Sequence, residues 1–372
     1  MSITATIIDH HKIPVPEFIH LPQVNIVMGY DQENYFENVQ PYVNTDYELV
    51  FSDENPDALF AAMIYLLSRP SPLAYTCFTR ELKAAECGKI TAAGVQNVVI
   101  FNCLNIYHSD TDLLSPITLI NPHESGLSNI SASQIVYKAV ENPTPFMRDL
   151  AAIAVVMDYT MDESFETIVE VVSAYPETFA DLQERIKNIT LNKYNVHQSA
   201  FGELTALYSA PSILYGTKGG EELVDRLVNN LPYTIPELLS GSAPNETISY
   251  LHQCAGEYKA ILASEHKRFE SEKLIKRSVI IYSPQYQSEN FVREFANIIK
   301  DNNVNSIVMM KMQTKTNQYK YSIRRGELNI DLGALLEEMR VGGGNPFAAG
   351  CTVGSPDEFE KGFLKKVDEI LM

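Results

Sequence analysis

Acids, amides and a histidine recur in this chain where a short apolar run gives way to polar residues. Asp53, Asn55 and Asp57 follow the run YELVFS, and Asn102 follows NVVIF. Asn121 ends ITLIN and leads into Pro122-His123, and Asp158 follows LAAIAVVM. In a parallel sheet the carboxyl ends of the strands open onto one crevice, so groups at such positions converge. Aspartates and a histidine arriving from separate elements suit a hard or borderline divalent cation, which takes oxygen and imidazole ligands. Asparagine lends one neutral oxygen and cancels no metal charge, so Asn55, Asn102 and Asn121 are the weaker members. The candidate ligands are therefore Asp57, His123 and Asp158, with Asp53 as an extra.

The elements that must position these groups are legible as alternating patterns. Apolar runs at 47–52, 73–78, 97–101 and 117–121 read as buried strands. Helices are expected over 57–67, over 80–90 and from Ser131, and MRDLAAIAVVMDYT reads as a helix running into a polar end at Asp158. Strands spaced by helices of about ten residues predict a parallel sheet covered on both faces. Residues 161–275 show helical spacing of apolar residues, cut by prolines at 211, 232, 236 and 244 and closed by one long charged helix. A second α/β unit follows: a strand at 278–284, the helix ENFVREFANIIKDNN and the strand NSIVMMKMQ. TNQYKYSIRR reads as a polar-alternating edge strand, and DLGALLEEM as a helix ending at the glycine run 342–344. The predicted fold class is α/β, with domains over 1–200, 201–275 and 276–372.

Composition narrows the function. The 372 residues carry 47 acids against 29 bases, a formal charge of −18, which argues against nonspecific coating of duplex nucleic acid. The charge is uneven. Residues 259–325 hold a surplus of seven bases, which leaves the remainder at −25. A basic patch opposite an acidic first domain would hold the phosphates of a single strand in an interdomain cleft; a solvated charged helix is the other reading. Five scattered cysteines without a CxxC pair fit reduced thiols in a cytoplasmic protein. No apolar run reaches the length of a membrane span, and the first residues do not read as a secretory signal.

Further residues invite two readings each. Gly342-Gly343-Gly344 is either a tight helix-ending turn or a loop that lets a phosphate approach the backbone. Ser322 and Arg324 alternate along their strand, as a solvated face or as phosphate or base contacts. Asp9-His10-His11 is either a chance match on an N-terminal strand or a loop returning two imidazoles to the cleft. His108, His197, His252 and His266 lack partner spacing and read as surface groups.

The order of these pieces resembles the DHH phosphoesterase family, in its RecJ-like branch with a DHH-associated C-terminal domain. KYSIRRGELNIDLGALLEEMRVGGGNPFAAG is similar to that domain's Ser/Arg strand followed by its GGGHxxAAG loop, with Asn345 where histidine is usual. NPDALFAAMIYLL resembles the DxDGxxS motif, with Asn55 for the first aspartate and Asp57 for the second. NVVIFN resembles a ligand-bearing strand with Asn102 for aspartate, and LAAIAVVMD the last metal-ligand strand with Asp158 kept. LINPHESG resembles the IDHHxSG turn, with Asn121-Pro122-His123 for Asp-His-His; alternatively that turn falls at Asn102-Cys103-Leu104.

The resemblance implies phosphodiester hydrolysis by two Mn²⁺ or Mg²⁺ ions, and Ser322, Arg324, Gly342, Gly343, Gly344 and Asn345 as substrate-binding residues. Two cations a few ångströms apart need several carboxylates to offset their repulsion. Asparagine at three ligand positions and proline at a fourth imply a fold kept without its catalysis, with no ion or one weakly held ion. The reading is a degenerate RecJ-like protein associated with nucleic acid or serving as a replication scaffold. Its implied partners are single-stranded nucleic acid and a GINS-like protein complex, with no membrane. The rival is an active metal-dependent phosphodiesterase or single-strand exonuclease relying on Asp57, His123 and Asp158, helped by Asp53 or by His10 and His11. A third reading is a small-nucleotide binder without turnover.

Overall fold

The computed structural model describes residues 24–28, 31–53, 55–69, 74–78, 81–82, 97–101, 105–106, 117–122, 127, 130–158, 160–161, 164–188, 193–242 and 244–371. The chain divides into two compact units, residues 1–212 with 217–253, and residues 213–216 with 254–372.

The first unit is built on strands β1 (Val24–Ile26), β2 (Leu49–Asp53), β3 (Ala74–Phe78), β5 (Val98–Phe101) and β7 (Ile117–Ile120), in the order β1-β7-β5-β2-β3. All four pairings are parallel. The residues of β5 are buried throughout, as a strand covered on both faces requires. The short strands β4 (Glu81–Leu82) and β6 (Asn105–Ile106) pair separately. The helix expected over 80–90 therefore opens with strand residues at 81–82, and its remainder lies outside the described residues.

Helix α1 (Gln32–Val43) and the edge strand β1 were not foreseen in the sequence. Helix α2 (Pro56–Leu67) starts with Asn55 as its cap and Pro56 at its first turn, and buries every residue from Asp57 to Leu66. It packs on α3 (Ala132–Ala139) and α4 (Pro145–Met157). The later helices are Phe165–Ala174, Ala180–Lys187, Lys193–Gln198, Ala200–Tyr215, Thr217–Asn229, Ile235–Ser240 and the long Glu246–Glu272. Pro211 lies inside Ala200–Tyr215 instead of dividing it.

The second unit holds a sheet of β8 (Leu274–Lys276), β9 (Val279–Tyr282), β10 (Ile307–Gln313), β11 (Tyr319–Arg325), β12 (Gly342–Gly344) and β13 (Ala348–Val353), in the order β12-β13-β11-β10-β9-β8. Only the β9–β10 pairing is parallel. On one face Ile281, Met309, Tyr321 and Ile323 pack against Leu335 and Leu336 of the helix Leu332–Glu338 and Phe359 and Phe363 of the helix Pro356–Leu371. The last of these helices was also unforeseen. The helix Glu289–Asp301 packs on β10 and β11 and buries Phe291, Phe295 and Ile299.

Two sequence expectations change here. Strand β11 is interior, flanked by β10 and β13. Its alternation looked like an edge because Lys320, Ser322 and Arg324 share one face, while the strands beyond it are glycine- and alanine-rich. The run Gly342–Gly344 is the edge strand itself, paired antiparallel to β13.

Candidate functional site

In the first unit the sequence brings Asn55, Asp57 and Asp158 together. Asp57, in the first turn of α2, is fully buried and points its carboxylate at the start of α3. Its Oδ1 accepts from the Ser131 hydroxyl at 2.5 Å and from the Ser133 N–H at 3.0 Å, and its Oδ2 from the Ala132 N–H at 2.7 Å. The carboxylate thus supplies acceptors to a helix N-terminus, whose amides lack intrahelical partners and carry positive partial charge. Ser131, the N-cap residue, completes the cap by accepting from the Gln134 N–H at 3.3 Å.

Asp158 caps the C-terminus of α4 and is not on a strand; its N–H bonds Ala154 O at 2.9 Å. Burial pushes its carboxyl well above the usual carboxylate range, and the neighbouring Asp57 charge pushes it further. A hydrogen bond from the Asn55 amide opposes both. Asn55 uses its other end, Oδ1, to accept from the Asp57 N–H at 3.0 Å. This neutral amide therefore caps α2 and also donates to Asp158, moderating the carboxylate pair as a cation would, without a cation's charge.

The remaining candidates belong to other elements or lie outside the described residues. Asn121 is fully buried at the end of β7, next to a buried Pro122. Asp53 ends β2, opposite Phe78. His123, Asn102 and Asp9-His10-His11 lie outside the described residues. Among the described residues no three His, Cys, Asp or Glu side chains gather closely enough to hold a metal ion. Two carboxylates, one already saturated by three donors, and a neutral amide do not fit a pair of divalent ions.

The second unit assembles the other predicted set. Register places Ser322 beside Gly350, and Gly350 beside Gly343, in one row across β11, β13 and β12. A Cβ on Gly342 would run into Gly350 O, and one on Gly344, whose φ is +153°, into Ala348 O, so these two glycines are required by strand pairing. Gly343 is different. A Cβ there would meet nothing nearer than Glu337 Oε1 at 3.5 Å. Ser322 is buried, and its hydroxyl has no hydrogen-bond partner. Such an orphan costs desolvation energy without return. Arg324, on the same face, donates through Nε to Asn297 Oδ1 at 2.8 Å and through Nη1 to Ile323 O at 2.9 Å. Asn345 turns the chain locally: its Oδ1 accepts from Phe347 N–H at 2.9 Å and Ala348 N–H at 2.8 Å.

Two broader expectations are adjusted. His252 and His266 are half-buried and bonded to the backbone at Leu238 O and Leu262 O, rather than free at the surface. The basic stretch 259–325 is laced with local ion pairs, including Arg268–Glu272, Lys273–Glu270, Lys311–Glu360 and Lys320–Glu289. Lys259, Lys267, Lys276 and Lys315 have no acidic partner among the described residues. No helix among the described residues is long and apolar enough to cross a membrane.

The DHHA1 domain family matches residues 277–372, which span β9 to the final helix. No protein of curated function matches in sequence. Among solved structures, exonuclease RecJ bound to manganese overlays with a TM-score of 0.53 at 11% identity, over 89% of this chain and 94% of that one. RecJ from Thermus thermophilus in complex with Mn²⁺ overlays with a TM-score of 0.52 at 14% identity, over 90% of this chain. The chain spans about half the length of that protein, 53%. A pGpG-specific phosphodiesterase, PggH from Vibrio, overlays at 0.48 and 14% identity, over 87% of this chain and 99% of that one. At such identities the two RecJ overlays speak for the fold alone. The chain thus has a fold like that of RecJ, and its residues 277–372 match the DHHA1 domain family.

Proposed function

We propose that this chain is a catalytically degenerate RecJ-like protein that holds single-stranded nucleic acid without hydrolysing it, and so acts as a nucleic-acid-associated scaffold. One observation carries the reading. Asp57, an acid retained where the family places a metal ligand, is fully committed to the N-terminus of α3. Asn55 beside it already moderates Asp158 as a neutral donor. Hydrolysis through two ions would need more charge than these residues supply.

The DHH-associated segment, 276–372, supports the binding half of the reading. Ser322 offers an unspent hydroxyl, Arg324 a guanidinium fixed by Asn297, and Gly343 and Gly350 a paired glycine row beside them. Gly342, Gly344 and Asn345 flank that row. The earlier segments, 1–200 and 201–275, belong to the DHH-like part and its helical link, and a replication-type partner of the GINS kind fits the same cytoplasmic scaffold role.

The rival reading, a manganese- or magnesium-dependent phosphodiesterase or exonuclease, has one observation in its favour. Two carboxylates packed close enough to raise one of them are what a bound cation would relieve. His123 and Asp53 would have to complete that site.

The test follows a labelled single-strand oligonucleotide by anisotropy and, in the same Mn²⁺-containing sample, by denaturing gel. Binding of intact strand, weakened by Arg324→Ala, is the expected result. Cleavage that Asp158→Ala abolishes would establish the rival, and absence of both binding and cleavage would leave no nucleic-acid role.

A further inference from the structure

We propose that β8, the open edge of the C-terminal sheet, docks an acidic, extended segment of a partner protein that adds to the sheet as a further strand. β8 closes the strand order at one end and, among the described residues, pairs only with β9. Leu274, Ile275 and Lys276 face Ile281, Ile280 and Val279 across a two-residue turn, in which Arg277 adopts a φ of +56°. In a two-residue hairpin the pair flanking the turn exchanges both backbone hydrogen bonds, and the next pair exchanges none. Ile275 therefore directs its N–H and C=O away from β9, toward the open edge.

The side chains around that backbone pair are unusual for an unguarded edge. All three residues of β8 are exposed, with Leu274 at 46% and Ile275 at 57%. Ile370 and Leu371, at the end of the last helix, are also exposed, and an Arg277–Asp368 ion pair ties that helix to the β8–β9 turn. Proteins normally blunt such edges with charge, proline or a covering element. Here Lys276 supplies the charge, and it has no acidic partner among the described residues.

Charge selects the occupant. Lys273 is engaged by Glu270 at 2.7 Å and sits over the Phe269 ring, and Arg277 is engaged by Asp368. A second copy pairing antiparallel about Ile275 would set Leu274 opposite Lys276 at both ends and bring no acid to either lysine. Nucleic acid suits the edge no better, because aliphatic Leu274 and Ile275 offer no stacking platform. A strand with an apolar residue opposite Ile275 and an acid opposite Lys276 satisfies the backbone pair, the apolar side chains and the charge together.

The probe is a synthetic peptide of alternating glutamate and valine, titrated into the full chain, with a lysine–valine peptide as its counterpart. Saturable binding of the acidic peptide, with slowed exchange at the Ile275 amide, is expected. Ile275→Pro removes the outward N–H while leaving the hairpin's own bonds, and should weaken binding by about fivefold or more, the worth of one hydrogen bond. Lys276→Glu, which leaves the backbone intact, should reverse the preference between the two peptides. Failure of the acidic peptide to bind, or binding indifferent to both variants, would overturn the proposal. So would self-association in sedimentation that Ile275→Pro abolishes, or an oligonucleotide that displaces the peptide.

Discussion

The helix termini around Asn55, Asp57 and Asp158 and the face of the C-terminal sheet treat their polar groups in opposite ways. Around Asn55, Asp57 and Asp158 the fold has closed its own hydrogen bonds: a carboxylate caps one helix, and an amide caps another while steadying a second carboxylate. Across β11, β13 and β12 it has left a buried serine hydroxyl without a partner and a glycine whose missing side chain the fold does not require. The first arrangement gives its acids structural work, whereas the second leaves polar groups that the structure does not spend.

Perturbing the first region should produce the largest effect. Asp57→Ala strands three buried donors and should cost about 3–5 kcal/mol of stability. The loss in thermal denaturation should be the same in chelator and in Mn²⁺; a loss confined to the Mn²⁺ sample would break the contrast by making Asp57 a ligand. In the second region, Gly344→Ala and Gly342→Ala should each cost about 2–4 kcal/mol, because the added methyl meets strand backbone, while Gly343→Ala should stay within about 0.5 kcal/mol of the parent. Weaker oligonucleotide binding by Gly343→Ala at unchanged stability would sharpen the case for the row as a ligand surface.

Asp158 yields a prediction with a defined sign. Its carboxyl is raised in the folded state, so its contribution to stability is complete below the ordinary carboxylate range and is lost as pH rises through the raised value. Asp158→Asn removes that loss, so its melting temperature should exceed the parent's at neutral pH, by about 2–4 °C per kcal/mol gained, and the gap should shrink on acidification. A variant that melts lower at neutral pH in the absence of metal would contradict this. The smallest effect belongs to Ser322→Ala. Removing an orphan hydroxyl should stabilise the unliganded protein by less than about 1 kcal/mol, while weakening oligonucleotide binding.

Much of the fold was legible from local pattern. The strands β2, β3, β5 and β7 and the long helix Glu246–Glu272 lie where apolar runs and periodicity place them, and the helix expected over 57–67 spans Pro56–Leu67. What pattern misread were features decided by neighbours. β11 looked like an edge because Lys320, Ser322 and Arg324 alternate along one face, and Gly342–Gly344 looked like a turn because glycine has little strand propensity. At the candidate site the sequence marked Asp57 and Asp158, but their roles rest on partners far along the chain. The link between Asp57 and Ser131-Ala132-Ser133 spans about seventy residues, and no local signal announces it. Ser131 as a helix cap was the available clue, since a capped N-terminus next to a buried acid invites that contact.

The central claim is that the acids retained in the first unit serve the fold. Calorimetric titration of the metal-stripped protein with Mn²⁺, with single-strand hydrolysis followed in the same sample, tests it most directly. The expected result is a folded protein that takes up no tight pair of ions and leaves the strand intact. Tight binding of two ions accompanied by turnover would contradict it and direct the search for the missing ligands to His123 and Asp53.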